Sequence, residues 1–189
     1  MKNRIKTQLD KKEDLLNRLD RVLDWIKTCD TKASIFLAAI GIVVTIIGSE
    51  FFIKKYYQIC RSFLKDINQW KIIYLVVSII FLLLIIVGIC SLIIELNPSL
   101  ISKRNNNKEI DSLFFFGTIA KKKREDFKEE YRNSTLYSDI EDLLNQLYIN
   151  SKICDLKYNY TKRGIFCSTI GIFGILVMTL LGVIILKLK

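Results

Sequence analysis

Hydrophobic residues along this chain gather into unbroken blocks as well as into helical stripes. Residues 33–49, 72–94 and 164–186 contain no charged side chain. At about 1.5 Å per residue, the two longer blocks reach about 34 Å as helices and the first about 25 Å. The hydrocarbon layer of a bilayer is about 30 Å thick. The pattern predicts three transmembrane helices, and we extend the first through residue 53.

Apolar stripes at helical spacing precede the first and third blocks. The first stripe, interrupted by Lys12, lies in residues 1–32, which we predict to be a cytoplasmic amphipathic helix. No Pro or Gly separates either stripe from its span. We therefore expect continuous helices from about residue 5 to 53 and from Leu136 through the third span. The stripes comprise Ile5, Leu9, Leu16, Leu19, Leu23 and Ile26, then Leu136, Ile140, Leu143 and Leu147.

The two connections between the spans differ in length and character. Residues 54–71, the external loop, mix aromatic residues with cations, which favours a short interfacial helix. Residues 95–163 form the predicted cytoplasmic helical region, which we expect to sense a signal. It begins with a polar connector, "NPSLISKRNNNKEID", at residues 97–111. A short helix follows, which Asp111 or Ser112 can cap and which Gly117 breaks or turns. The fold class predicted is all-α, an integral membrane protein with helical cytoplasmic extensions.

Lys and Arg residues are distributed unevenly between the two sides of the membrane. Residues 1–32 hold nine and residues 95–163 hold thirteen, whereas residues 54–71 hold five and the last three residues two. The positive-inside rule therefore places the N-terminus in the cytoplasm and the C-terminus outside, in a multi-pass protein of the cell inner membrane.

Composition makes several functional classes improbable. The formal net charge is +10, but juxtamembrane cations account for it without polymeric nucleic acid as a partner. The five cysteines form no CxxC motif and histidine is absent, so we expect no metal site. No nucleophile–base pair, phosphate-binding Gly loop or carboxylate pair is apparent. We predict neither enzymatic activity nor a cofactor.

Asp30 and Lys32 stand together where the chain enters the first apolar block. The simplest interpretation is a membrane-entry marker, in which Lys32 reaches headgroup phosphates. The alternative is an ion pair between Asp30 and Lys157 or Arg163 that acts as a clamp, or as a latch that an arriving anion opens. Breaking a buried pair of this kind costs about 3–5 kcal/mol.

The segment "NSKICDLKYNYTKR", residues 150–163, contains the residue types that a nucleotide requires. Cations bind phosphate, an aromatic face stacks on the base, and an amide reads the base edge. The alternative is an ordinary juxtamembrane helix decorated with polar residues. The tentative ligand-binding residues are Lys32, Phe116, Arg132, Asn150, Ser151, Lys157 and Tyr158.

Small residues recur at intervals of four and three along one face of the first span. Such a face lets helices approach closely in lipid. It would pack either within the chain or between subunits, as an oligomeric pore requires. The face comprises Ser34, Ala38, Gly41, Thr45 and Gly48.

Three segments, in this order, resemble the transmembrane effector family of Pycsar, a bacterial antiphage system. They are "WIKTCDTKASIFLAAIGIVVTIIG", "SLFFFGTIAKKKREDF" and "DLLNQLYINSKICDLKYNYTKRGI". The resemblance covers about residues 15–180, and the family signature maps onto Asp30, Lys32, Phe116, Gln146, Asn150, Ser151 and Lys157.

The resemblance implies a receptor-effector paired with a nucleotide cyclase. Infection would trigger synthesis of a cyclic pyrimidine mononucleotide, cCMP or cUMP, and the effector would then impair the inner membrane and cause abortive infection. We hypothesise that Asp30–Lys32 and Asn150–Lys157 form one polar layer that binds the ligand and changes how the long helices splay within a homo-oligomer in the bilayer. The alternatives are a constitutive membrane anchor or scaffold, and a small channel or transporter subunit.

Overall fold

A computed structural model describes residues 2–65, 68–97 and 111–187. These residues form six helices and no strand, which confirms the predicted all-α class. Three of the helices, α1, α3 and α6, are long and apolar enough to cross a membrane. The helices are α1 (Lys2–Ile47), α2 (Glu50–Lys65), α3 (Gln69–Leu96), α4 (Phe116–Ile119), α5 (Arg124–Asn133) and α6 (Leu136–Lys187). The predicted polar connector at 97–111 falls mainly on residues 98–110, which lie outside the described residues.

The helix that forms the first span ends earlier than its sequence suggests. α1 stops at Ile47, and α2 begins at Glu50. Ser49 accounts for the break, because its hydroxyl oxygen accepts a hydrogen bond from the Phe52 backbone N–H (3.4 Å) and so caps the new helix. The prediction of one helix through residue 53 is therefore wrong. The predicted short helix within residues 54–71 is confirmed as part of α2.

α2 packs its apolar face against α3 and α6. Ile59 and Phe63 are buried together with Tyr74 of α3 and Met178 of α6. The Tyr74 hydroxyl donates a hydrogen bond of 2.6 Å to the Met178 backbone oxygen, which satisfies that phenol in an apolar setting. The Phe63 and Tyr74 rings meet edge to face, 4.9 Å apart. This cluster holds the amphipathic α2 against the ends of two apolar helices.

α3 and α6 approach each other through glycine. A Cβ at Gly88 would lie 2.6 Å from the Ser168 backbone nitrogen, and one at Gly164 would lie 2.6 Å from Leu92 Cγ. A Cβ at Gly171 would lie 2.8 Å from the Phe81 backbone oxygen. Close backbone contact of this kind is the usual means by which helices associate in lipid. The small residues of α6 therefore pack against α3 of the same chain.

The third long helix, α1, packs against α3 and α6. Ala33 and Ile40 are buried with Leu92 of α3, and the partly buried Leu37 and Ile165 pack against them. The three long helices therefore share one apolar core.

The chain divides into two compact units. The polar unit comprises Met1–Cys29 and Pro98–Tyr158, and the apolar unit comprises Asp30–Asn97 and Asn159–Lys189. α1 and α6 each run without a break from one unit into the other. The prediction that α6 begins at Leu136 and continues as the third span is confirmed.

Within the polar unit, the segment before α4 forms a hydrogen-bonded loop. The Ser112 hydroxyl oxygen accepts a hydrogen bond from the Phe114 backbone N–H (3.0 Å), and the Thr118 hydroxyl donates one to the Ser112 backbone oxygen (2.5 Å). α4 begins only at Phe116, and Gly117 lies inside it. The prediction that Asp111 or Ser112 caps this helix and that Gly117 ends it is therefore wrong.

Candidate functional site

One face of α6 within the polar unit changes from apolar to polar along its length. Leu143 is fully buried, Gln146 is 5% exposed and Lys157 is 6% exposed. At about 100° per residue, these three positions and Asn150 fall on one side of the helix. Burying an ammonium group costs free energy that an apolar side chain in its place would not. A buried ammonium group that is kept despite this cost makes Lys157 a candidate functional residue.

The other predicted ligand residues of α6 do not share this face. Ser151 and Tyr158 are exposed, about a quarter turn away around the helix. The Ser151 hydroxyl donates a hydrogen bond to the Leu147 backbone oxygen (2.7 Å), and Asn150 Nδ2 donates one to the Gln146 backbone oxygen (2.8 Å). Only Asn150 and Lys157 are therefore placed together by the helix itself, with Gln146 beside them.

Phe116 and Arg132 are directed to the outside of the polar unit. Phe116 is 79% exposed, with its ring centroid 4.9 Å from that of Phe115. Arg132 is exposed in the last turn of α5. Their predicted part in ligand binding stays a prediction.

Asp30 and Lys32 lie at the start of the apolar unit, within α1. Asp30 is half-buried and Lys32 is exposed. The Asp30 backbone oxygen accepts a hydrogen bond of 2.8 Å from the Ser34 hydroxyl. The proposed latch between Asp30 and Lys157 stays a prediction.

The polar unit also contains an acidic cavity beside the 112–118 loop, which comprises the segment before α4 and the first residues of α4. Its volume is about 190 Å³. The cavity is lined by four carboxylates, Asp111, Glu130, Asp139 and Asp142, and by one cation, Lys122. This charge opposes binding of a phosphate group. Within residues 2–65, 68–97 and 111–187, no group of Cys, Asp and Glu side chains has the arrangement of a metal site.

The ammonium of Lys122 neutralises part of this acidic lining. It bonds Asp111 Oδ1 (2.9 Å) and Glu130 Oε2. Burial by itself would lower the pKa of Lys122, but the hydrogen bonds that its ammonium donates to Glu130 and Asp111 outweigh this effect and raise the pKa. The lysine therefore stays charged throughout the physiological range.

Two side chains fix the 112–118 loop to the long helices. Asp142 Oδ2 of α6 accepts a hydrogen bond from the Leu113 backbone N–H (2.8 Å). Lys12 Nζ of α1 lies 2.6 Å from Asp139 Oδ2 and 5.9 Å from the Phe114 ring centroid. The lysine that interrupts the first apolar stripe is thus the residue that ties α1, the loop and α6 together.

The small-residue face of α1 has no packing partner within the described part of the chain. Every member is exposed: Ser34, Ala38, Gly41, Thr45 and Gly48. A Cβ added at Gly41 would meet nothing within 4 Å. The Thr45 hydroxyl bonds its own helix, at the Gly41 backbone oxygen (2.9 Å). Among the described residues this face is left uncovered, so it is available for packing between subunits.

The sequence-based candidates omitted one buried acid. Glu95, in the last turn of α3, is 0% exposed. It lies one turn after Leu92, whose side chain is packed beside Gly164. The antiparallel register places it opposite the turn of α6 that contains the buried Thr161. Its position directly after a long uncharged run was the available signal, since a carboxylate there must find a polar setting.

The chain matches known proteins over most of its length. The family model of the Pycsar effector protein domain, PycTM, matches residues 14–186. The Pycsar effector protein GmPycTM of Gulbenkiania mobilis is 33% identical over 167 residues, which make up 82% of this chain and 84% of the relative. No solved structure matches the chain. The chain, with its three membrane-spanning helices, belongs to the Pycsar effector family PycTM.

Proposed function

We propose that this protein senses a cyclic nucleotide, made by a partner cyclase during phage infection, and responds by impairing the inner membrane. Membership of the Pycsar effector family implies a role in antiphage defence. The response we propose requires no catalytic step from this chain.

The observation that carries the proposal is the buried cation on α6. Lys157 is 6% exposed, and its helix continues unbroken into the third span. An ammonium group donates a charge-assisted hydrogen bond to an anionic phosphate, and such bonds are among the strongest hydrogen bonds in proteins. Binding at this position would act directly on a helix that crosses the membrane.

The neighbouring side chains on the same face suit a nucleobase. Gln146 and Asn150 carry amides, and an amide can both donate to and accept from the edge of a pyrimidine. The acidic cavity beside the 112–118 loop is unsuited to the phosphate, so we place the ligand on the face that carries Lys157. These amides suit the edge of any nucleobase, and the family resemblance leads us to propose a cyclic pyrimidine mononucleotide, cCMP or cUMP, as the ligand.

Coupling to the membrane would pass through α1 and α6. Both helices belong to the polar unit at one end and to the apolar unit at the other. The exposed small-residue face of α1 offers a surface on which copies of the chain can pack closely. We propose a homo-oligomer in the inner membrane, with cytoplasmic N-termini and external C-termini, whose contacts along α1 rearrange when the ligand binds.

Equilibrium binding to the protein in lipid nanodiscs tests this proposal. The panel consists of cCMP, cUMP, cAMP, cGMP and cyclic dinucleotides. We expect one member to bind and Lys157→Gln to weaken it about tenfold or more, since a hydrogen bond to a charged group contributes about 1.5–3 kcal/mol. Lys152→Gln is the matched control, because Lys152 is exposed on the same helix, over the Tyr148 ring. Folded protein that binds no nucleotide would support a constitutive anchor instead.

A further inference from the structure

A second cavity lies in the apolar unit, where α1 turns into α2. Its volume is about 330 Å³, and apolar atoms form nearly all of its lining. α2 supplies most of the wall, including Ile53, Tyr57 and Cys60, while Leu82 of α3 and Ile175 of α6 complete it. The volume falls within the range of about 300–1,000 Å³ that is usual for ligand sites.

The cavity is a groove that opens to the outside of the unit. Its lip is exposed at Ile53, Tyr57 and Leu82, whereas its floor, Ile175, is buried. Because α3 and α6 cross the membrane, the opening faces hydrocarbon or the headgroup boundary and not bulk water. The occupant must therefore be apolar over most of its length.

The charged residues of α2 indicate which chemical group the occupant carries outside the apolar groove. The helix carries four cations, Lys54, Lys55, Arg61 and Lys65, and one acid, Glu50. Arg61 directly follows Cys60 of the groove, and all four cations are exposed. An amphipathic helix with a basic polar face is typical of the membrane interface, where it meets anionic headgroups.

We infer that this groove binds an acyl chain of a phospholipid, with its anionic headgroup held by Arg61 and Lys65 of α2, whereas Lys54 pairs with Glu50 (2.5 Å). A lipid combines the two required properties, since its chain is apolar and its phosphate complements Arg61 and Lys65. A second copy of this chain would fill the groove with side chains but would leave those cations facing no anion. The inference does not depend on the nucleotide proposed above.

Photochemical labelling in bilayers tests the inference. The probe is a phosphatidylglycerol with a diazirine on its acyl chain, incorporated into nanodiscs with the full-length protein, and labelled residues are located by mass spectrometry. We expect labelling at Tyr57, Cys60 and Leu82 to exceed that at the neighbouring exposed Leu83 several-fold. Leu82→Trp, which fills the groove, should abolish the excess, whereas Leu83→Trp should leave it unchanged. Cys60→Phe provides a second filling variant if Leu82→Trp fails to fold.

The headgroup requires a separate comparison. Arg61→Gln should lower labelling by the phosphatidylglycerol probe about fivefold, the effect of one cation near an anionic surface. Labelling by a phosphatidylcholine probe should change little. If the groove residues and Leu83 are labelled equally, and Leu82→Trp does not change this labelling, the groove makes only the lipid contacts of any membrane-facing surface. That result would overturn the inference. Cross-links from the groove to another copy of the chain would overturn it as well.

Discussion

Gly88 of α3 lies against Ser168 of α6 so closely that a Cβ at residue 88 would be 2.6 Å from the Ser168 backbone nitrogen. At Gly41 of α1, by contrast, a Cβ would meet nothing within 4 Å. Both glycines belong to small-residue faces of apolar helices, but one face is used inside the chain and the other is left exposed. Substitutions on the first face should therefore affect the stability of the single chain, whereas substitutions on the second should affect its proposed assembly.

Adding a methyl group at Gly88 should destabilise the single chain. We expect Gly88→Ala to lower the free energy of unfolding by about 1–3 kcal/mol, because the contacting atoms belong largely to the backbone and cannot move aside. Thermal unfolding in detergent measures the effect. Gly41→Ala is the matched control and should leave the midpoint unchanged or raise it, since alanine favours helix more than glycine does. Equal loss of stability in both variants would contradict the packing described for α3 and α6.

Bulk on the exposed face of α1 should impair assembly without impairing the fold. Ala38 lies on the small-residue face, and Ala39, also exposed, lies on another. We expect Ala38→Leu to insert and unfold normally but to form fewer oligomers, because the larger side chain keeps neighbouring helices apart. Ala39→Leu should match the unmodified protein. Cross-linking in native membranes measures the oligomers, and equal cross-linking of both variants would remove this face from the proposal.

Lys12 and Asp139 should be coupled in stability. Their side chains are 28% and 18% exposed, and the two charged atoms are 2.6 Å apart. A double-mutant cycle with Lys12→Ala and Asp139→Ala should give a coupling energy of about 1 kcal/mol that decreases as salt is added. Arg18 and Asp14, an exposed pair within α1, provide the comparison and should give less. A coupling energy of zero at Lys12 would show that the lysine does not hold the polar unit together.

Asp142 should govern the order of the loop before α4. Removing its carboxylate in Asp142→Ala leaves the Leu113 N–H without its acceptor, at a cost of about 1–3 kcal/mol. We expect faster amide hydrogen exchange across residues 111–118, with little change elsewhere in the polar unit. Glu141→Ala controls for the loss of charge, since the exposed Glu141 carboxylate accepts a hydrogen bond from the Tyr137 hydroxyl and lies one residue away from Asp142. Unchanged exchange at Leu113 in Asp142→Ala would contradict the anchoring role.

Much of this fold follows from patterns that the sequence displays openly. Uncharged runs long enough to cross a bilayer predict the three spans, and the stripe from Leu136 predicts the start of α6. The break after Ile47 was missed because apolar residues continue beyond it, while the signal, a glycine followed by a serine that caps α2, occupies only two positions. The partner of Lys12 lies 127 residues away in sequence, so no local pattern indicates it.

The candidate site was predicted less completely, for two reasons. Helical periodicity alone separates Ser151 and Tyr158 from Lys157, so grouping them by residue type went beyond what the sequence supports. The burial of Gln146, Lys157 and Glu95, however, depends on tertiary packing that no periodicity supplies. A small-residue face that packs within a chain has the same sequence pattern as one that packs between chains. Only the structure shows that the face of α6 packs against α3 and that the face of α1 is exposed.

Release of dye from liposomes tests the central claim, that a nucleotide gates damage to the membrane. The purified protein would be reconstituted, and release followed as each cyclic nucleotide is added in turn. We expect one nucleotide to cause release by the unmodified protein and by Ala39→Leu, but not by Lys157→Gln or Ala38→Leu. Dye release without any nucleotide would contradict the account. The account would also be contradicted if the protein inserts and forms oligomers but releases no dye with any nucleotide that it binds in nanodiscs.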